Sequence, residues 1–275
     1  MNFSQLFPDN REDGETPLRQ CQLVMLRMLK IFDFLCEKYQ IQYFLIGGSL
    51  LGAIRHKGFI PWDDDLDVGM TRDNYEKFIQ YAAPELPSDI FFQNVQTDKH
   101  YPQICNVDAR LRDKYSSYTH IIPKNNKWHE GLQLDIFVHD RSYLPHNFFV
   151  ITSNKILRLT KDNKKRTKVL KLISKYAPFP LVYSSNYLQH FSSLKRGTYI
   201  KEQEYSTLIK TKFEDMEAYI PQGYDSYLKR QFGNYMQLPP LEKRISEHNV
   251  IPDPFTPCDH VEILQWEKRD KANHE

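Results

Sequence analysis

Between Leu18 and Cys36, apolar residues return every three or four positions: Leu18, Cys21, Met25, Met28, Leu29, Phe32, Leu35 and Cys36. That spacing puts them on one stripe of an amphipathic helix. Pro17 suits its first turn, where an amide hydrogen would have no intrahelical partner. The run 41–46 is short, apolar and β-prone, and Gly47, Gly48 and Ser49 break it before a helix resumes over 50–56. After a loop holding Pro61 and Trp62, residues 65–70 read as a second strand, and Thr71 is placed to cap a helix reaching Phe78. Residues 132–138 alternate around Asp135 behind Gly131, which predicts a further core strand. The three strands are expected to be neighbours in one sheet.

Farther along, Lys155, Arg158, Lys161, Lys164, Lys165, Arg166, Lys168, Lys171 and Lys175 interleave with Ile156, Leu157, Leu159, Val169, Leu170 and Leu172, the pattern of a basic amphipathic helix or helix pair. Pro221 precedes a helix carrying Tyr224, Tyr227, Leu228 and Phe232, and the tail after Lys268 is expected to fray. The organisation read from this pattern is one domain over 1–275. It has a catalytic core at about 18–140, a basic helical insertion at about 150–176 and a helical C-terminal part at about 177–268. The fold class is α+β, a small mixed sheet surrounded by helices.

With 40% apolar residues in 275, the chain has enough to bury a sizeable core. The 37 basic residues nearly cancel the 35 acidic ones, so net charge gives no reason to expect a nucleic-acid partner. Cys21, Cys36, Cys105 and Cys258 are scattered without a CxxC pair, which speaks against a zinc knot or a disulfide framework and for a reducing compartment. No stretch has the length and apolarity of a signal peptide or spanning helix, so a cytoplasmic location is expected.

The chemistry centres on GGSLLGAIRHKGFIPWDDDLDV, from Gly47 to Val68. Asp65 and Asp67 stand two apart on the expected strand, so both carboxylates leave one face of the sheet and can share a hard cation. Magnesium, with manganese as a substitute, takes oxygen ligands and completes its shell with water and substrate phosphates. Gly47, Gly48 and Ser49 form a turn whose backbone approaches phosphate closely, with a helix start aimed at the anion. Asp135 is a third acid, costly in an apolar strand unless paired or bound to an ion, and suited to a second metal or to the role of base. Arg55, His56 and Lys57 supply cations for phosphate. Each feature alone also has a structural explanation, a plain turn or a solvated acidic loop, and it is their combination that points to phosphoryl transfer.

The stretch Gly47–Asp67 resembles the signature of the LicD family, which includes the fukutin-like proteins. The similarity continues through 72–78, GLQLDIFVHD at 131–140, and FEDMEAYIPQGYDSYLKRQFGNYMQLPP at 213–240, with Arg244 and His248 beyond. It implies a nucleotidyltransferase-like fold, a divalent metal held by Asp65, Asp67 and Asp135, and transfer of a phospho-alcohol from a CDP-linked donor, CDP-choline foremost. The acceptor implied is a sugar of lipopolysaccharide, teichoic acid or a similar glycan, free or lipid-linked. Asp63 and Asp64 lie inside the signature as further ligands or supports. The resemblance leads us to expect the compact bacterial type, without the membrane anchor of the eukaryotic relatives.

His56 and His248 are further candidates for contact with the substrate, and Trp62 either stacks on a base or alcohol or packs its loop. Tyr219, Tyr224, Tyr227 and Tyr235 offer aromatic walls for a choline head group, although core packing is their commoner role. The basic stretch 155–175 is either a solvated face or a surface for peripheral contact with an anionic bilayer. Two rival functions remain: nucleotide transfer to a small molecule or RNA end, and a non-catalytic glycan-binding module.

Overall fold

The computed structural model describes residues 2–101, 107–120, 127–141, 187–190, 199–246, 248 and 250–258. The basic segment 155–175, Cys105 and the tail after Lys268 lie outside them.

Thr16 and Pro17 start helix α2 (Pro17–Lys38), which follows a short α1 (Phe3–Leu6); the Thr16 hydroxyl accepts the Arg19 amide hydrogen at 3.2 Å. Along α2, Cys21, Met25, Met28, Leu29, Phe32, Leu35 and Cys36 are fully buried. Removing a large apolar side chain such as these from water contributes about 1.5–3 kcal/mol. They pack on one face of a seven-stranded mixed sheet.

In that sheet β1 (Phe44–Leu45) runs antiparallel to β2 (Asp67–Thr71), and β2 runs parallel to β6 (Gln133–Arg141). The other edge of β6 is shared by β4 (Ala109–Asp113) and β7 (Tyr187–His190), both antiparallel. The outer strands are β3 (Ile90–Gln93), beside β4, and β8 (Ile200–Lys201), beside β7. The three strands expected from the sequence are therefore neighbours, in the order β1, β2, β6. Residue alternation sorts the faces. Val68, Met70, Leu134, Ile136, Val138, Ala109 and Leu111 are buried in the core. Register sets Asp67 opposite Asp135, and Asp135 opposite Arg110, on the other face.

Element boundaries differ from the sequence reading in three places. Helix α3 (Gly47–Arg55) begins at Gly47 itself, whose φ of +54° makes the turn, so the glycines open the helix instead of preceding it. β2 begins at Asp67, leaving Asp65 just before the strand. Thr71 does stand before α4 (Arg72–Lys77), but its hydroxyl accepts from the Asn74 side chain at 2.8 Å instead of capping a backbone amide. The chain then passes into a wider turn of helix over Phe78–Ala82.

The C-terminal part, expected to be helical, carries a β-hairpin, β9 (Leu208–Phe213) with β10 (Met216–Pro221), closed by Glu214 and Asp215. Glu214 has a φ of +57°. Its helices are α5 (Glu202–Tyr205) and α6 (Tyr224–Phe232). A separate pair joins β5 (Ser117–His120) to β11 (Val250–Asp253). Among the described residues no helix is long and apolar enough to cross a membrane.

Candidate active site

The polar face of the central strands gathers carboxylates. Asp67 and Asp135 are side by side across the parallel pair, and the Leu66 carbonyl accepts the Asp135 amide hydrogen at 2.8 Å, locking the two segments together. Asp65 feels the charges of Asp67, Asp63 and Asp135. Burial first, and then these like charges, push the Asp65 carboxyl well above the usual carboxylate range; burial followed by Asp135 and Asp63 does the same to Asp67. Asp63 is pushed up to about 6, chiefly by burial, and its carboxyl shares a hydrogen bond with that of Asp65. Such a bond needs a proton on one partner, so this is a nest of acids that lacks positive charge.

Compensation is uneven. Arg110 Nε donates to Asp135 Oδ1 at 2.9 Å, and the two side chains are 13% and 8% exposed, so this ion pair is largely dry. His248 meets Asp64 Oδ1 through Nδ1 at 2.7 Å and stands 3.5 Å from Asp65 Oδ2 through Nε2. The hydrogen bond to Asp64 holds the imidazole pKa above its ordinary value. Ser246 Oγ donates to Asp64 Oδ2 at 2.7 Å. Asp64, itself buried, thus anchors the chain after β10 to the acidic loop, whereas Asp63, Asp65, Asp67 and Asp135 face one another.

Helix α3 points its start at this nest. Its first intrahelical bond is Leu50 N–H to the Ile46 carbonyl, so the amides of Gly48 and Ser49 precede the ladder. A Cβ on Gly48 would sit 2.8 Å from Asp63 Oδ2, and one on Gly47 would sit 3.3 Å from Asp67 Oδ2, which is why this turn tolerates little besides glycine. Ser49 is buried and its hydroxyl accepts the Asp67 amide hydrogen at 2.8 Å, so it positions Asp67 directly. The expected cations lie at the other end of α3, about 12 Å along the axis from Gly47 to Arg55 at 1.5 Å per residue. There Arg55 Nε donates to His56 Nε2 at 2.9 Å and Arg55 Nη1 to the Tyr235 carbonyl at 2.8 Å. His56 meets Trp62 edge to face at 5.9 Å, and the Arg244 guanidinium lies 5.6 Å from the Trp62 ring. Lys57 is exposed with a φ of 62°. Burial, then Arg55 and Arg244, hold the His56 pKa down.

Three contributors escaped the sequence reading of the site: Arg110 from β4, Tyr118 from β5, and the place of Tyr227 from α6. The Tyr118 hydroxyl is driven up by burial and by Asp64, Asp65 and Asp135; that of Tyr227 by burial, beside the Gly47 backbone and Asp67. Tyr219 instead bonds Glu37, and Tyr235 bonds Asp225. Alternation in β4 could have put Arg110 on the polar face, but only the pairing of β4 with β6 sets it opposite Asp135.

Among the described residues no group of three or more His, Cys, Asp and Glu side chains is placed to hold a metal ion by itself. The donor chemistry of Asp63, Asp65, Asp67 and Asp135 nonetheless fits a hard cation: all oxygen, all anionic and short of counter-charge. Magnesium characteristically takes one or two carboxylates plus water and substrate phosphates, so an all-protein cage is not required.

Comparison with known proteins gives the site a context. Residues 40–223 match the profile of the LicD/FKTN/FKRP nucleotidyltransferase domain. Over 267 residues the chain is 28% identical to the lipopolysaccharide cholinephosphotransferase LicD of Haemophilus influenzae, across 84% of this chain and 96% of that one. A stretch of 52 residues is 60% identical to human ribitol 5-phosphate transferase FKRP, covering 19% of this chain and 10% of that one.

Proposed function

Because the chain belongs to the LicD family, we propose that it is a metal-dependent transferase moving a phospho-alcohol, phosphocholine foremost, from a CDP-activated donor to a sugar of a cell-surface glycan. The observation that carries this reading is the set of mutually repelling carboxylates at the start of α3. The acceptor is a lipopolysaccharide, teichoic acid or capsule precursor, and the reaction runs on the cytoplasmic side.

Asp65 and Asp67 would hold magnesium, with Asp135 beside them. When bound, the ion offsets the charge of the donor's pyrophosphate and of the leaving phosphate. Gly48 and the following amide hold phosphate oxygens at the start of α3, and Ser49 keeps Asp67 in place. A glycan hydroxyl attacks the β-phosphorus. The new bond is sugar oxygen to phosphorus, the broken bond is the pyrophosphate bridge, CMP leaves, and the hydroxyl proton passes to Asp135, which Arg110 steadies. Asp63 supports Asp65, while Asp64 and His248 fix the acidic loop. Arg55, His56, Lys57 and Trp62, at the far end of α3, contact the acceptor side of the substrate.

Incubation with doubly labelled CDP-choline and a glycan acceptor tests the reading. Phosphocholine on the glycan with free CMP is expected. CMP left on the acceptor would make the protein a nucleotidyl transferase, and no transfer under any metal would favour a binding module.

A further inference from the structure

Five large apolar side chains project into solvent from the last residue of α6 and the short segment that follows it: Phe232 (41% exposed), Met236 (56%), Leu238 (44%), Leu241 (75%) and Ile245 (66%). Leaving them wet forgoes the stabilisation of burial, and so dense a group of exposed apolar side chains marks an interaction surface. The segment is not a loose end. The Tyr235 carbonyl is held by Arg55, Arg244 lies over Trp62, and Ile245 is followed at once by Ser246, which bonds Asp64 at the acid nest. The ridge is therefore mechanically joined to the candidate active site.

Its charge says what it meets. Lys243 and Arg244 lie in this segment against Glu242, and Arg55 reaches it through the Tyr235 carbonyl, while the nearby Asp225 already bonds Lys229 and Tyr235. Apolar side chains interleaved with cations, on irregular backbone carrying Pro239 and Pro240, suit an interface with anionic head groups above hydrocarbon. We propose that residues 232–245 dock this protein on an anionic bilayer, so that a lipid-linked glycan is presented to the carboxylates. The proposal deepens the transfer reading and rests on it for the acceptor. Docking itself requires no donor, metal or turnover. It also differs from the expectation attached to 155–175, because here the apolar side chains do the inserting and the cations assist.

The test is sedimentation of the whole chain with vesicles of phosphatidylglycerol and phosphatidylcholine, against vesicles of phosphatidylcholine alone, without nucleotide. The wild type is expected on the anionic vesicles, with partition falling as salt rises, since each cation near the surface adds about fivefold. The variant M236S/L238S/L241S/I245S is expected to partition at least about tenfold more weakly, because each serine removes apolar surface from the lipid. Its thermal unfolding and its transfer to a soluble glycan should match wild type, since none of the four side chains is buried. Equal sedimentation of variant and wild type would overturn the proposal, as would a wild type that stays in solution. So would a wild-type dimer that the four serines convert to monomer in light scattering, which would assign the ridge to a second copy. A wild type that docks on the anionic vesicles yet transfers no phosphocholine would count against the transfer reading alone.

Discussion

Asp67 and Asp135 stand opposite one another in register on parallel strands, and the Asp135 charge adds to the burial that drives the Asp67 carboxyl up. Adjacent side chains on one face of a sheet are close neighbours, so two acids there repel unless a cation or proton intervenes. A fold that keeps Asp63 and Asp65 beside them holds this tension for a purpose other than stability.

Relief of that tension is measurable. A carboxyl whose folded pKa is raised favours the fold only at low pH and opposes it once ionised near neutrality. Asp67→Asn should therefore stabilise the metal-free protein by about 1 kcal/mol, or roughly 2–4 °C in thermal unfolding for a chain of this size. Unfolding in chelator checks it, and a clear loss of stability would show that the ionised acid is better compensated than the geometry indicates.

Arg110 is expected to act oppositely. Its ion pair with Asp135 is nearly buried, so Arg110→Ala strands a dry carboxylate and should cost roughly 3 kcal/mol. Adding Asp135→Asn should recover most of that loss, and urea unfolding of the two single variants and the double variant gives the coupling.

Gly48 is constrained by contact, not by φ. Alanine there brings Cβ within 2.8 Å of Asp63 Oδ2, so the acid must move. Gly48→Ala should lower kcat by at least about tenfold, in line with small displacements of catalytic groups. Helical circular dichroism should be unchanged, because alanine favours a helix.

Away from the site, Glu204 supplies acid sensitivity. Burial raises its pKa, but Arg230 and Ser226 outweigh burial and bring the carboxyl below its ordinary value. The contribution is complete above the unfolded pKa and fades as pH falls through the lowered folded one. Glu204→Gln should thus lose stability at pH 7 but differ little from wild type at acid pH, as read by denaturant midpoints across that range.

The sequence made part of this arrangement visible. Periodicity of three and four residues exposed α2 because its stripe faces a continuous core, and alternation around Asp135 exposed β6 because one face is apolar. The nest itself was legible where its members are contiguous, from Asp63 to Asp67. Arg110, Tyr118 and Tyr227 were not, since only strand order and the return of α6 bring them in from distant positions. The hairpin at 208–221 falls in the part expected to be helical, because its two-residue turn at Glu214 and Asp215 carries no glycine or asparagine to mark it. The cations Arg55, His56 and Lys57 were expected beside phosphate, yet the length of α3 separates them from Gly48.

The central claim is that the carboxylates facing the start of α3 carry out transfer from a CDP-linked donor. Its most direct test is the rate of phosphocholine transfer from CDP-choline to a glycan acceptor, with magnesium, for wild type and Asp67→Asn. The account predicts turnover by the wild type and a fall of at least about a hundredfold in a fully folded variant. Equal rates for the two proteins would contradict it.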